Sequence, residues 1–164
     1  MIIAVNHDGA DQVVIRMADS RNAATLAKLR YLFRSAAGRG DVVEPEDGFL
    51  PRCEKWMCER LSDSSPWKCW IAESEQTIVG NLWLQLVDKI PNPLASEPEH
   101  HAYISNVYVR EEYQGQAIGS QLLSAALEWI EHQDIHAVIL WASEEGRQFY
   151  ARHGFGMRDD LMQK

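Results

Sequence analysis

A segment in the second half of the chain combines small and polar residues in an order suited to binding an anion. Residues 102–109 form an apolar and aromatic run of strand-forming character, and a charged corner at residues 110–112 follows. Small residues let the backbone approach a ligand, and the N–H groups and dipole of a helix N-terminus attract negative charge. A diphosphate is the natural ligand, although a turn without a ligand also fits the pattern. The residues of this loop are Gln114, Gly115, Gln116, Ala117, Ile118, Gly119 and Ser120.

Two strands and a helix must position this loop. The helix is predicted from Gly119 to about His132, where apolar residues recur at helical spacing. Residues 137–142 are continuously apolar, as in a strand that is covered on both faces. Strand, helix and strand in this order predict parallel neighbours, and ligands of open sheets bind beyond the carboxyl ends of such strands. The diphosphate is therefore expected at that edge of the sheet.

The remaining elements alternate in a way that predicts a mixed sheet. Gly80 lies inside a predicted strand and indicates a bulge or a close backbone approach. The predicted order is β-α-α-β-β-β-α-β-α-β, in which hairpins flank the parallel pair. The outer elements are a strand at residues 13–16, a helix at 21–34, a helix with Pro51 in its first turn, hairpin strands at 67–73 and 78–87, a short helix at 145–153 and a final strand from Phe155.

Composition is that of an ordinary globular protein, with 46% hydrophobic and 24% charged residues. The length of 164 residues predicts a single domain over residues 1–164, in which residues 1–12 are a polar N-terminal extension. The net charge of -8 repels phosphate backbones, so nucleic acid is not an expected partner. The same charge suits a cationic acceptor such as an amine, and it equally serves solubility alone.

Cysteine and histidine usage predicts a cytoplasmic protein without a metal site. Cys53, Cys58 and Cys69 are odd in number and lack Cys-x-x-Cys spacing, so free thiols in a reducing cytosol are expected. The adjacent His100 and His101 point to opposite faces of a strand and do not form a metal pair. No apolar run approaches membrane-spanning length, so no membrane partner is expected.

The loop and a second block together resemble the GNAT family of acetyl-CoA-dependent N-acetyltransferases. Residues 114–120 resemble its pyrophosphate loop, written Gln/Arg-x-x-Gly-x-Gly/Ala, and residues 143–155, with Phe149-Tyr150 and Gly154-Phe155, resemble its late helix. The resemblance implies an α/β (α+β) fold with a mixed central sheet of six to seven strands and about four flanking helices. It also implies a primary amine acceptor on a small molecule or peptide, which attacks acetyl-CoA directly in a ternary complex without a metal.

The resemblance assigns roles to further residues. Tyr150 corresponds to the tyrosine that protonates the departing thiolate. Val107, Tyr108 and Val109 match the strand segment that polarises the thioester carbonyl and pairs with pantetheine. Ser143 stands where many members have a pantetheine-contacting Asn, and its hydroxyl can still donate a hydrogen bond. Gln114 and Gln116 stand where basic residues are frequent in the family. Arg147 either compensates for them toward the phosphates or is simply solvated.

The general base and the acceptor stay open at this level. An amine with a pKa near that of lysine arrives protonated, and the candidates to remove its proton are Glu99, His101, Tyr103, the acidic residues 41–48 or a water chain. Trp67, Trp70 and Trp83 are either core residues or walls of an acceptor pocket. An acyl-CoA-binding sensor or partner-binding module on the same fold is the alternative function, a nucleotide-phosphate enzyme is disfavoured because no Gly-Lys-Ser/Thr follows the loop, and a homodimer is a further expectation because dimers are common in the family.

Overall fold

A computed structural model describes residues 3–4, 13–36, 44–94, 96–158 and 162 of the chain. Over these residues the chain forms six strands and four α-helices, with short 3-10 turns at Ser20–Asn22 and Glu111–Tyr113. The elements are β1 (Ile3–Ala4), β2 (Val13–Met17), α1 (Ala23–Ala36), α2 (Glu46–Arg60), β3 (Trp67–Ser74), β4 (Thr77–Asp88), β5 (His100–Val109), α3 (Ile118–Glu131), β6 (Ile135–Leu140) and α4 (Arg147–Ala151).

The strands form one mixed sheet in chain order, from β1 to β6. Neighbouring strands are antiparallel except β5 and β6, which are parallel. The predicted mixed sheet, parallel pair and four helices are confirmed. The strand count is at the lower end of the expected six to seven, since β1 has only 2 residues. None of the described helices is long and apolar enough to cross a membrane.

The parallel strands β5 and β6 pair over only part of their length. The pairing runs from His100 opposite Ile135 to Ile104 opposite Leu140, where β6 ends. β5 continues to Val109 along β4. The last residues of β5 therefore have no strand beside them on the β6 side within the described part of the chain, and a gap opens at this edge.

The two faces of the sheet bury separate clusters of side chains. One cluster packs α3 against β2 to β5, and the other packs α1 and α2 against β3 and β4. Alternation along β3 directs Trp70 to the first cluster, where it contacts Trp129 at 5.7 Å between ring centroids, and Cys69 and Ile71 to the second. The sheet thus separates the helix that follows the loop from the first two helices.

Gly80 lies at both features that its position predicts. The register of β3 and β4 shifts beside it, so that Ala72 faces Gly80 and Glu73 faces Ile78. A Cβ atom at Gly80 would lie 3.0 Å from the Tyr108 carbonyl oxygen. A bulge and a close approach of β5 therefore both occur here.

Four expectations about the elements are wrong within the described residues. The strand expected at residues 137–142 to be covered on both faces is β6, which ends at Leu140 and has Ile139 44% exposed, because it lies at the edge of the sheet. Ile3–Ala4, expected in a polar extension, form an edge strand on β2, a pairing too short to leave a periodic signal. Helix α2 begins at Glu46 rather than beside Pro51, which lies inside the helix, because Glu46 and Asp47 suit the positive end of the helix dipole. Residues 155–158 are irregular instead of starting a strand. Phe155 instead contacts the Tyr150 ring at 5.8 Å between centroids.

Candidate active site

A cavity of about 1030 Å³ opens where β5 and β6 separate. Helices α1 and α2 form one side, the second half of β5 forms the floor, and the segment from Trp141 to α4 forms the other side. The volume is at the upper end of that usual for small-molecule sites, so a long ligand or two ligands can be held together. The lining residues are Arg30, Phe33, Arg34, Phe49, Arg52, Cys53, Trp56, Met57, Trp67, Trp83, Tyr103, Ile104, Ser105, Asn106, Val107, Trp141, Ser143, Gly146, Phe149 and Tyr150.

The predicted anion-binding loop turns sharply through two residues with positive φ. Gly115 has φ of 78°, and Ala117, at the N-cap of α3, has φ of 59°. Left-handed backbone favours glycine, and Ala117 stands where the family pattern has glycine. The N-cap residue makes no side-chain hydrogen bond to the helix. No N-cap side chain therefore occupies the N–H groups at the start of α3, and a ligand can bind to them.

Six successive backbone amides of the loop are unpaired. The N–H groups from Gly115 to Ser120 have no hydrogen-bond acceptor among the residues that the structure describes. Gln114 differs, because its amide donates to the Glu111 carbonyl at 3.1 Å and its side chain donates to the Val109 carbonyl at 3.1 Å. Gln114 therefore fixes the loop from within, and the free donors begin one residue later.

The loop adjoins the cavity through one aromatic ring. A methyl group added at Gly119 would lie 3.6 Å from the Phe149 ring, which lines the cavity. The Gln114–Ser120 residues themselves do not line it. A ligand bound at the loop would thus need an extended arm to reach the cavity.

The open edge of β5 offers further donors. The Arg110 N–H donates to the Val79 carbonyl of β4 at 2.8 Å. Since peptide groups alternate in direction along a strand, the N–H groups of Val107 and Val109 face the gap beside β6. The Tyr108 side chain instead packs on the second cluster, with its ring 5.4 Å from that of Phe33.

Tyr150 lies on α4 at the wall of the cavity. Its ring is half-buried and stacks edge-on with Phe149 at 5.0 Å between centroids. Burial raises the pKa of the Tyr150 phenol above its ordinary value. The hydroxyl is therefore held in its protonated, proton-donating form.

Ser143 and Arg147 frame the start of α4. The Ser143 Oγ accepts a hydrogen bond of 3.1 Å from the Gly146 N–H and lines the cavity. The hydroxyl proton of Ser143 remains available to a ligand. Arg147 is exposed and does not line the cavity.

The sequence did not single out an arginine on α1 that lies in the cavity. The Arg30 Nη1 donates to the Asn106 Oδ1 at 2.9 Å, across 76 residues of chain. Burial lowers the pKa of the Arg30 guanidinium, and the charge of Arg34 lowers it further. A signal was present, because Arg30 interrupts the apolar stripe of Leu26, Leu29 and Phe33.

Of the candidate bases, Tyr103 lines the cavity, with its ring 5.0 Å from Trp141. Glu99 is exposed, and the His101 ring, whose pKa is lowered by burial, packs on His136 at 5.3 Å away from the cavity. In the acidic segment, Glu44 pairs with Arg52, Glu46 and Asp47 are exposed, and Asp41 lies outside the described residues.

Two of the three tryptophans considered in the sequence line the cavity. Trp67 and Trp83 meet Trp56 of α2, with centroid distances of 5.0 Å for Trp56–Trp67 and 5.8 Å for Trp56–Trp83. Trp70 lies on the opposite face of the sheet. The pocket-wall interpretation therefore fits Trp67 and Trp83, and the core interpretation fits Trp70.

Comparison with known proteins identifies the class. Residues 29–155 match the acetyltransferase (GNAT) family. The uncharacterized N-acetyltransferase ycf52 of Gracilaria tenuistipitata var. liui is 26% identical over 92% of this chain and 79% of its own length. A GCN5-related N-acetyltransferase from Ralstonia eutropha JMP134 superposes with a TM-score of 0.74 at 22% identity, covering 93% of this chain and 97% of that one.

A second solved structure has the same fold. It is a predicted acetyltransferase with acetyl-CoA from Clostridium acetobutylicum, with a TM-score of 0.74 at 23% identity over 93% of this chain and 95% of that one. The family match covers most of the chain, so this chain belongs to the GNAT family of acetyltransferases. It is accordingly an acyltransferase.

Proposed function

We propose that the protein transfers the acetyl group of acetyl-CoA to a primary amine of a small molecule or peptide, by direct attack within a ternary complex. The six unpaired amides at the start of α3 carry this proposal. They form an anion site beside the open edge of β5, and a solved neighbour from Clostridium acetobutylicum contains acetyl-CoA. The diphosphate of coenzyme A suits such a site.

The residues divide the work of holding the donor. The amides of Gly115 to Ser120, with the Ser120 side chain, bind the diphosphate, while Gln114 keeps the loop in shape. The N–H groups of Val107 and Val109 pair with the pantetheine arm as an added strand would. Ser143 donates its hydroxyl to the same arm, and Arg147 approaches the phosphates from α4.

Two groups then serve the reaction. The N–H groups at the open edge of β5 hydrogen-bond the thioester oxygen and stabilise the charge that develops on it. Tyr150 donates its phenolic proton to the sulfur of the departing thiolate, and the raised pKa of the phenol keeps that proton in place until the thiolate forms.

The acceptor amine is delivered neutral without a carboxylate base. No acidic side chain of the described residues lines the cavity. The apolar walls and the charge of Arg30 both disfavour an ammonium ion there, so the amine loses its proton to water on entry. Of the candidate bases in the described residues, Tyr103 is the one that lines the cavity.

The test measures donor binding and turnover separately. Acetyl-CoA is expected to raise the melting temperature while ATP does not, and acetyl-CoA with a panel of amines is expected to release free thiol. Binding of acetyl-CoA without thiol release from any amine would favour the acyl-CoA sensor instead.

The three cysteines, which are free, fit a reducing cytoplasm. A homodimer remains a prediction.

A further inference from the structure

The charges that line the acceptor side of the cavity are all positive. Arg30 and Arg34 project from α1 and Arg52 from α2, and none of the described lining residues is acidic. This local field opposes the overall net charge of -8. A ligand inside the cavity interacts with its walls far more strongly than with the distant surface, because screening by water is weaker there.

Within the described part of the chain, two of the three arginines have no counter-ion. Arg52 pairs with Glu44 and lies over the Phe49 ring at 5.0 Å. Arg30 and Arg34 form no ion pair with any described residue, and they stand four residues apart on α1, where like charges repel. A half-buried, unpaired guanidinium facing a cavity is stabilised when an anion binds to it.

The position of Arg30 is fixed rather than adaptable. Its Nη1 donates to Asn106 at 2.9 Å, and its guanidinium carbon lies 5.9 Å from the centroid of the Phe33 ring. The other guanidinium nitrogens have no hydrogen-bond partner among the described residues. The planar group is therefore preorganised to donate hydrogen bonds to the two oxygens of a carboxylate.

Next to these charges the cavity has aromatic walls. Phe33, Phe49, Trp56, Trp67 and Trp83 line the side formed by the first two helices and the hairpin. A flat apolar group would fill this region.

Resting on the proposed acetyl transfer, we infer that the acceptor is an amine that also bears a carboxylate and an aromatic or other large apolar group, in the manner of an aromatic amino acid. Arg30, with Arg34, binds the carboxylate, and the tryptophan-rich walls enclose the apolar group.

The donor does not account for these arginines. The unpaired amides that suit its diphosphate begin α3, which packs on the opposite face of the sheet from α1. An anion at Arg30 would therefore belong to the acceptor. This separation makes the two binding events distinguishable by kinetics.

The experiment compares matched acceptors on purified full-length protein. Thiol release is measured with phenylalanine and phenylalaninamide, and with tryptophan and tryptophanamide, for the wild type, Arg30→Gln, Arg30→Lys and Arg34→Gln. Lys28→Gln removes the same charge from the exposed face of α1 and is the matched control. Quenching of tryptophan fluorescence by 3-phenylpropionate, against 3-phenylpropanamide, reports binding without turnover.

The wild type is expected to prefer the acids by about 10- to 100-fold in kcat/KM expressed per neutral amine, the range of a charge-assisted pair. Arg30→Gln should reduce that preference to about threefold or less while the KM for acetyl-CoA stays unchanged. Arg30→Lys should lie between, and Lys28→Gln should match the wild type. If Arg30→Gln does not fold, Arg30→Lys and Arg34→Gln carry the same comparison.

The outcomes separate the two proposals. Equal use of acids and amides by the wild type, or an unchanged preference in Arg30→Gln, would overturn the carboxylate site while acetyl transfer stands. Binding of 3-phenylpropionate that depends on Arg30, with no thiol release from any amine, would support the site and overturn the acetyl transfer. Failure of 3-phenylpropionate to bind the wild type would overturn the site.

Discussion

The side-chain amide of Asn81 donates a hydrogen bond of 2.9 Å to the carbonyl oxygen of Asn106. Asn106 has φ of 49°, and the register between β4 and β5 shifts at this point. Asn81 is 0% exposed, so the bond forms without competition from water. It fixes the irregularity in β5 at the place where β5 leaves β6, and the Asn106 side chain in turn holds Arg30. One buried amide thus connects the donor edge of β5 to the acceptor side of the cavity.

The Asn81→Ala variant tests this connection. Removal of the side-chain amide leaves the Asn106 carbonyl without its partner, which should lower the free energy of unfolding by about 1–3 kcal/mol. The KM for acetyl-CoA should also rise, since the edge of β5 loses its fixed geometry. Urea denaturation and initial rates measure the two effects. Gln133→Ala, at an exposed amide, is the control and should stay within about 0.5 kcal/mol of the wild type. An Asn81→Ala protein as stable as the control would contradict the argument.

The central elements could be predicted because their signals are local. The hairpin, β5 and α3 follow from runs of one periodicity, and the parallel pair follows from their order. Pro51 was misplaced because a proline suits a first turn, and nothing local shows that the helix began five residues earlier. The paired residues Ile3–Ala4 are too few to show any period.

The residues of the candidate site likewise include some with a local sequence signal and others that only the tertiary packing brings together. The loop residues have a local signature, since glycine and small residues mark positive φ and a close approach. Arg30, Trp56 and Trp141 come from three separate elements, and only the packing of α1 and α2 beside the sheet brings them to one cavity. The net charge of the whole chain is negative, whereas the charged residues that line the cavity are positive. The net charge therefore mispredicts the charge of the site, because most acidic residues lie elsewhere on the surface.

Gly115→Ala should weaken acetyl-CoA binding through the backbone. At φ of 78° an added Cβ is strained by about 1–2 kcal/mol, and the loop would relax away from its amide-presenting shape. The expected result is an increase of about 5- to 30-fold in the Kd for acetyl-CoA by calorimetry. Gly154→Ala is matched, because Gly154 has φ of 84° and lies after the end of α4. It should lose similar stability but keep its affinity, and an equal loss of affinity in both variants would argue against the loop.

Ala117→Gly should have the opposite effect in the same loop. Alanine at φ of 59° carries strain that glycine does not, and this relief outweighs the greater freedom of glycine in the unfolded chain by about 0–1 kcal/mol. The melting temperature should be unchanged or slightly higher, and the affinity for acetyl-CoA should be retained. A clear loss of affinity would show that the alanine methyl group itself contacts the donor.

Gly80→Ala should destabilise the fold where β4 pairs with β5. The new Cβ would lie 3.0 Å from the Tyr108 carbonyl oxygen and 3.3 Å from a Leu122 methyl group, so backbone must move. The cost should be about 1–3 kcal/mol in urea denaturation. Gly156→Ala, where an added Cβ meets no atom within 4 Å among the described residues, should change stability little. If both variants were equally stable, the backbone of β5 would be able to move away from the new Cβ at little cost, contrary to this prediction.

Tyr150→Phe tests the proton donor. The variant keeps the ring and its contacts with Phe149 and Phe155 but lacks the proton, so kcat should fall by about 100- to 10,000-fold while the Kd for acetyl-CoA stays constant. An acid must be protonated to act, and burial raises the pKa of the Tyr150 phenol. The wild-type rate should therefore rise with pH as the amine loses its proton and should fall only above the pH at which an exposed tyrosine ionises. Tyr150 would not be the proton donor if the wild-type rate began to decrease at a pH lower than that at which an exposed tyrosine ionises. The same conclusion would follow if Tyr150→Phe kept the wild-type kcat.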